Sequence, residues 1–548
     1  ALEAAGGGWT TEALVAADRT GALVLSYQQE RLWFLAELDG AASAAYHLGG
    51  ALWLSGPLDV AALAGALSDV VERHESLRTV FASGEDGRPV QVIAPTAEAA
   101  QFDLTVETAS DDDAALCARV TALLSEPFDL AVGPLFRARL LQVSQELHVL
   151  VVSGHHSVLD GWSTGLLLRE VSECYRARLT GEEASLPPLS IQYCDYAAWQ
   201  RAVLSGDRLA QETAWWREAL SGMPEAIGLP LDRPRPKVMD YRGGAVPLHV
   251  PAAVTSGLRA LARSEGATLF MALEAGFSAL LSRLGAGEDV VIGTAVAGRP
   301  RRELEHLAGF FVNTVALRNH VDGLASFRGH LGATKGVVLA AFEHQDVPFE
   351  AVVEAVSPVR AMGHAPLVQV MLVLQNMPGG EALELPGVAV RPFDAPWGGA
   401  KFELSLDLRE EGDGLEGALT FASQVFDEST AERVGQMFVR LLEGVVSAPD
   451  TQVSDLPLMA RAERDQVVSG FNDTAAPLAE GTVLDLFAAQ VSTRPDAVAV
   501  VDGATQLSYG ALAAASNRLA RLLIGLGVGH EAVVGVCLER SAELIIAL

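Results

Sequence analysis

Apolar positions along this chain switch repeatedly between two rhythms. Short continuous or alternating runs suit strands, and three-to-four-residue spacings suit helices. Residues 136–143 and 147–153 are two β-prone runs separated by a short polar gap, which predicts a hairpin. The second run leads into Ser153-Gly154-His155-His156-Ser157-Val158-Leu159-Asp160-Gly161-Trp162-Ser163, and an amphipathic run over 164–179 leaves it. Ser163 is placed to cap that helix and Gly181 to end it. Further strands are predicted at 49–54, 289–295, 366–373 and 401–408. Helices are predicted after Asp59, where Leu63, Leu67, Val70 and Val71 share a face, over 254–264 and 268–284, and from Asp427 to Val445. Strand and helix signals alternating in this way predict a mixed α/β protein.

Breaks in the pattern divide the chain. Residues 1–22 are rich in Ala and Gly and read as a leader or linker. Leu186-Pro187-Pro188 interrupts the periodicity before the aromatic helix start Ile191-Gln192-Tyr193-Cys194-Asp195-Tyr196-Ala197-Ala198-Trp199. That break predicts two lobes, 23–190 and 191–455. Within the second, Leu229-Pro230-Leu231-Asp232-Arg233-Pro234-Arg235-Pro236 predicts an extended surface connector. Residues 447–480 turn polar and Ala/Pro-rich, with the linker placed at 456–475. A third αβ pattern opens after it, with a helix at 483–490, a strand at 497–502 and a long helix ending near Leu526. The apolar, helix-like run Glu543-Leu544-Ile545-Ile546-Ala547-Leu548 closes the sequence, as expected for a piece of a longer polypeptide.

Charge narrows the function classes. The chain has 548 residues, with 39 basic against 69 acidic ones and a net charge of −30. Such a field disfavours nucleic acid and anionic membranes as partners. No apolar run reaches the ~20 residues of a spanning helix. Cys117, Cys174, Cys194 and Cys537 are far apart in sequence and form no CxxC pair. Without a secretory signal, they read as reduced thiols in a cytoplasmic protein.

Two histidines, an aspartate and a glycine on a loop between a strand and a helix start are candidate chemistry. Adjacent side chains at a strand end point in opposite directions, so His155 and His156 are expected to divide their tasks. The residues alone leave an accident of packing, metal ligation by His155, His156 and Asp160, and a catalytic pair all open. No further Cys/His cluster at ligand spacing accompanies them, which counts against a metal. Elsewhere, Arg73-His74-Glu75-Ser76-Leu77-Arg78 predicts an internal ion-pair network, and Arg31, Arg73 and Asn313 are expected to be architectural.

Taken together and in order, Leu25-Ser26-Tyr27-Gln28-Gln29-Glu30-Arg31-Leu32-Trp33-Phe34-Leu35, the RHESLRTVF segment from Arg73, the HHSVLDGWS segment from His155, the YCDYAAW segment from Tyr193, GFFVNT from Gly309 and HQDVPFE from His344 resemble the condensation domain of nonribosomal peptide synthetases. The resemblance covers about residues 23–455. From residue 476, with Leu507-Ser508-Tyr509-Gly510-Ala511-Leu512, the chain resembles the N-terminal start of an adenylation domain.

This resemblance implies two chloramphenicol-acetyltransferase-like lobes in a V with a tunnel between them, followed by a truncated adenylation fragment. It implies that upstream donor and downstream acceptor peptidyl carrier domains deliver substrates on phosphopantetheine arms, this chain binding no cofactor or metal of its own. The implied reaction is attack of an acceptor α-amine on a donor thioester. His156 would meet the amine and His155 would brace the loop. Asp160 would fix it through an ion pair with Arg299, Gly161 would offer its N–H to the oxyanion, and Ser163 and Trp162 would give structural support. The segment from Pro358 to Leu367 departs from the family, with His364 where an arginine is usual. That keeps open a relative that dehydrates or epimerises the tethered residue, and, in another class, a non-catalytic recruitment platform.

Overall fold

The computed structural model describes residues 13–38, 40–96, 102–357, 362–375, 383–395, 398–478 and 480–548. Pro358 to Ala361, the first part of the departing segment, lie outside the described residues. The chain forms two compact units, 1–460 and 461–548.

In the first unit, the opening half builds a five-stranded sheet. Its strands are β1 (His47–Ser55), β2 (Thr105–Thr108), β3 (Phe136–Gln142) and β4 (Leu147–His155), and its helices are α1 (Tyr27–Leu38), α2 (Val60–Arg73), α3 (Asp113–Leu124) and α4 (Gly161–Thr180). The order across the sheet is Ala389–Pro392, β1, β4, β3, β2. The predicted hairpin is therefore β3–β4, antiparallel from Phe136↔Gly154 to Gln142↔His148. β4 is almost continuously buried because both its faces are covered. Leu150 packs with α2 and α4, while Val149 and Val151 pack against Leu116, Val120 and Leu123 of α3. This explains a run with no polar alternation.

The second half builds a six-stranded sheet from β5 (Gly243–Val250), β6 (Asp289–Val296), β7 (Asn313–His320), β8 (Val370–Gln375), β9 (Leu404–Glu411) and β10 (Gly414–Ala422). The order is β7-β6-β8-β9-β10-β5. Around it lie α5 (Tyr193–Val203), α6 (Leu269–Leu281), α7 (Phe327–Glu343), α8 (Phe349–Val356) and α9 (Glu428–Ser447). An 18-residue stretch, Leu269–Ala286, is long and apolar enough by composition to cross a membrane. Its helix α6 is instead a core element, with every residue from Met271 to Leu281 buried.

Several sequence expectations are corrected. The residue that caps α4 is Asp160, not Ser163: its carboxylate accepts the Ser163 N–H, so the helix begins at Gly161. Asp427 occupies the N-cap position of α9 but spends its carboxylate on Arg233. The segment 366–369 is irregular and β8 starts only at Val370, while β9 starts at Leu404 and leaves Lys401 outside the strand. The connector 229–236 is stitched down rather than lying free. Leu229 is buried, Arg233 donates to the carbonyls of Ser423, Gln424 and Phe426, and Arg235 pairs with buried Glu403. The end of the leader is likewise tied to α5, with the Ala17 N–H on Asp195 and Arg19 between Glu75 and Asp195. In the linker region, Val453 and Leu456 are core residues. The two lobes are not cut cleanly at residue 190 either, because Ala389–Pro392 returns to pair with β1.

The Arg73–Arg78 cluster does form ion pairs, but its main partner lies outside it. Glu170 on α4 accepts from Arg73 at 3.1 Å and sits 2.7 Å from His74.

The second unit contains a helix, Val483–Thr493, a hairpin of Val498–Asp502 and Thr505–Ser508, and helices Tyr509–Gly525 and Ala542–Ala547. Among its described residues only Leu512 and Ala542 are buried hydrophobics.

Candidate active site

β4 ends at His155, and the pleat sends the two histidines to different environments. His155 is fully buried. It lies opposite His47 in the β1–β4 register and beside Phe128. The Ser157 N–H donates to its Nδ1 at 3.2 Å, so the ring proton is on Nε2, 3.3 Å from the Ser43 hydroxyl. Burial, then the neighbouring His47, pulls its pKa down to about 3. The ring is neutral, with both nitrogens engaged inside the fold.

His156 is held differently. Its backbone N–H donates to the Tyr46 carbonyl, and its Nδ1–H donates to the Leu159 carbonyl at 3.0 Å. This fixes the tautomer with the Nε2 lone pair free, since Nε2 has no partner among the described residues. The ring stands against Phe310, centroids 4.5 Å apart, and lines a cavity of about 1740 Å³. Burial is the main cause of its lowered pKa, and the charge of Lys401 adds to it against the pull of Asp160. The imidazole is therefore a free base at neutral pH.

The cavity is shared by both halves of the unit. Arg31, Tyr46, His156, Gly161 and Trp162 come from the first, and Phe270, Phe310, Asn313, Phe349, Lys401 and Asp407 from the second. A Cβ on Gly161 would meet nothing within 4 Å, so this position opens into the chamber. The N–H groups of Gly161 and Trp162, in the first turn of α4, have no acceptor among the described residues and carry the positive end of the helix dipole.

Asp160 closes the loop. One carboxylate oxygen accepts from the Ser163 N–H at 2.8 Å, the Ser163 hydroxyl at 2.7 Å and Arg299 Nη2 at 3.1 Å. The other accepts from Arg299 Nη1 at 2.9 Å and the Phe311 N–H at 3.0 Å. Burial opposes its charge, but Arg299 and Ser163 win and hold its pKa below the usual carboxylate range. Both side chains are almost wholly removed from solvent, at 2% and 0% exposure. Arg299 also lies 4.2 Å from the Phe311 ring and donates to the carbonyls of Leu304 and Leu307. Trp162 Nε1 donates to the Glu305 carbonyl, and the Gly309 N–H donates to the Ser163 hydroxyl at 3.0 Å. The turn requires glycine at 298, where φ is +64° and a Cβ would lie 2.0 Å from the Phe311 carbonyl oxygen.

Arg31 reaches the chamber as an ion pair with Glu350 at 2.8 Å and donates to the Tyr46 hydroxyl. Asn313 joins Gln345, Val347 and Phe349 through their backbones. Arg73 stays with Glu170, and among the residues lining the cavity it is absent. Sequence reasoning missed three chamber groups. Lys401 has a pKa drawn down to about 8 by burial and by Arg31. Asp407 is pushed up by burial, and Asp346 is pushed up by burial and Glu212 to about 6. One signal was available: Ser405 and Asp407 alternate with Leu404, Leu406 and Leu408, marking a polar face on β9. Nothing in the sequence says that this face looks into a cavity rather than solvent. No group of three or more metal-ligating side chains exists among the described residues.

Fold and site thus define a mixed α/β protein of two lobes around a shared chamber, with a free-base imidazole on its wall. The family model for the condensation domain matches residues 20–468, and that for AMP-binding enzymes matches 487–548. The chain belongs to the condensation-domain family of nonribosomal peptide synthetases, with the start of an AMP-binding domain behind it. It is similar to malpinin synthetase of Mortierella alpina, 41% identical over 538 residues, spanning 98% of this chain and 7% of that protein. It is also similar to the phosphinothricin tripeptide synthetase PhsB of Streptomyces viridochromogenes, 40% identical over 97% of this chain and 45% of that protein. The chain therefore spans less than half the length of either relative. Among solved structures it is similar to the X-domain from teicoplanin biosynthesis, with a TM-score of 0.75 and 31% identity over 82% of this chain and all of that one.

Proposed function

We propose that the first unit joins two carrier-tethered substrates, the α-amine of an acceptor attacking the thioester carbonyl of a donor in the chamber. The observation that carries this reading is the His156 ring, its Nδ1–H spent on Leu159 and its Nε2 free toward the cavity. An α-ammonium has a pKa near ~8, so part of it is free amine at neutral pH. As the C–N bond forms, the nitrogen becomes cationic and the carbonyl oxygen anionic. Nε2 orients the amine and accepts its proton, help worth ~10²–10⁴-fold. The oxyanion is met by the Gly161 N–H at the positive end of α4. The intermediate then collapses by breaking the C–S bond, and the phosphopantetheine thiolate takes up the proton. His155 and the Asp160–Arg299 pair hold the loop, with Ser163 and Trp162 tying it to 305–309. Phosphopantetheine comes with the upstream and downstream carrier domains. An adenylation domain adjoins it.

The test mixes loaded donor and acceptor carriers with wild type and with His156→Ala and follows the acceptor carrier by intact mass. Peptidyl product from the wild type, strongly reduced in the variant, is expected; equal product from both removes His156 from the mechanism. Product lighter by one water identifies a dehydrating relative. A second reading, a recruitment platform, is favoured by the 32% identity to an X-domain from teicoplanin biosynthesis solved as a complex with OxyB. Tight binding of a separate enzyme with no turnover at all would establish it.

A further inference from the structure

The chain contains three lysines, Lys237, Lys335 and Lys401, among 39 basic residues, and only Lys401 lines the chamber. It lies just before β9, on Ala400–Phe402, where the chain has not yet joined the sheet. Its Nζ is 4.7 Å from the centroid of the Tyr46 ring. The same ring faces His156 at 6.4 Å and the Arg31 guanidinium at 5.8 Å. Arg31 has a carboxylate of its own, Glu350 at 2.8 Å. Lys401 has none: among the described residues no carboxylate oxygen lies within 4.0 Å of Nζ, and Asp407 gives its carboxylate to the Ser405 hydroxyl at 2.8 Å. Burial and Arg31 work against the ammonium, while the Tyr46 ring and the longer-range attraction of Asp407 favour it.

We propose that Lys401 is a positioning residue for the reaction: its ammonium, gathered with His156 and Arg31 around the Tyr46 ring, keeps the incoming amine in its free-base form. This rests on the condensation reading of the chamber. A nearby cation disfavours a second cation, so it lowers the proton affinity of any amine or imidazole that shares the cavity. The charges acting on the cluster are the Arg31–Glu350 pair, Asp407 on β9, which attracts the Lys401 ammonium, and Asp160, which is neutralised by Arg299; Arg301, Arg302, Glu305, Asp346 and Glu410 line the same chamber. Of the two cations beside the Tyr46 ring, Lys401 is the one with no carboxylate oxygen within 4.0 Å among the described residues. Its own pKa, about 8, means that the charge is present at neutral pH and is lost above it, where the substrate amine needs no help. An arginine would never discharge in this range.

The experiment measures single-turnover peptide formation against pH for wild type, Lys401→Met and Lys401→Arg, using saturating loaded carriers and checking each variant by thermal melt. In Lys401→Met the acid limb should move to higher pH by about one unit, a loss of about tenfold at neutral pH. The difference from wild type should close above pH about 8. Lys401→Arg should restore the wild-type acid limb. A rate lowered equally at every pH, or an unshifted acid limb in a folded Lys401→Met, overturns this assignment while leaving the condensation reading intact. No peptide from the wild type at any pH overturns both.

Discussion

Two regions that meet on one loop, with His156 four residues before Asp160, use ionisable side chains to opposite ends. At the Asp160–Arg299 lock the carboxylate receives five hydrogen bonds, and the guanidinium is spread over an aromatic ring and backbone carbonyls. On the chamber wall, among the described residues, His156 Nε2 has no partner and Lys401 no carboxylate within ion-pair reach. Where ionisable groups are saturated they fix geometry, and where they are left unsatisfied beside a cavity they are available for chemistry. The lock joins the loop to the 297–311 segment, and the Asp160 charge also reaches the wall, where it raises the His156 pKa against burial and Lys401.

The largest expected effect separates the two. His156→Ala should lower peptide formation by ~10²–10⁴-fold while leaving the thermal midpoint within a degree or two of wild type, because the ring's only side-chain bond is to Leu159. A comparable loss of stability would make His156 a second lock. Asp160→Ala should do the reverse in kind. It strands Arg299 and the Phe311 N–H in a dry site and should cost ~3–5 kcal/mol in urea unfolding. If Asp160→Ala is as stable as wild type yet inactive, the carboxylate belongs to the reacting face and the comparison fails.

Two pH effects, smaller and opposite in sign, sharpen it further. His155 and His47 fold as neutral rings, with pKa values near 3 and 4, each lowered first by burial. The unfolded chain binds more protons than the folded one between those values and the ordinary 6.5, so stability falls as pH drops through that window. Replacing His47 by Phe should flatten part of the fall, read from urea midpoints between pH 6.5 and 4. Glu274, on α6, is buried with its pKa raised to about 8, and its only partner among the described residues is Asn319. Here the folded state binds the extra proton, so stability declines as pH rises from 4.5 toward about 8. Glu274→Gln should remove that decline without touching peptide formation, since neither residue lines the chamber. An unchanged slope would show that the carboxyl is ionised in the fold.

The strands and helices nearest the site were legible because their causes are local. Residues 149–152 are continuously apolar, with no polar edge to give to water, which marks a buried strand. The cap was misread for an equally physical reason. Ser163 and Asp160 are both good capping residues three positions apart, and only the Phe311 and Arg299 donors arriving from 297–311 decide that Asp160 takes the first turn. The connector 229–236 looked exposed because Pro and Arg dominate it, yet Glu403 is buried where only Arg235 reaches.

By itself the sequence determined the α/β character, the ordered motifs that mark the family, and the division of His155 from His156, which follows from the two-residue period of a strand. It also named both ends of the Asp160–Arg299 pair. The tertiary structure alone decided which polar faces look into the chamber. Lys401, Asp407 and Asp346 carry no local mark of function. Whether an alternating strand turns its polar side to bulk water or to an enclosed cavity depends on what packs across from it, hundreds of residues away along the chain.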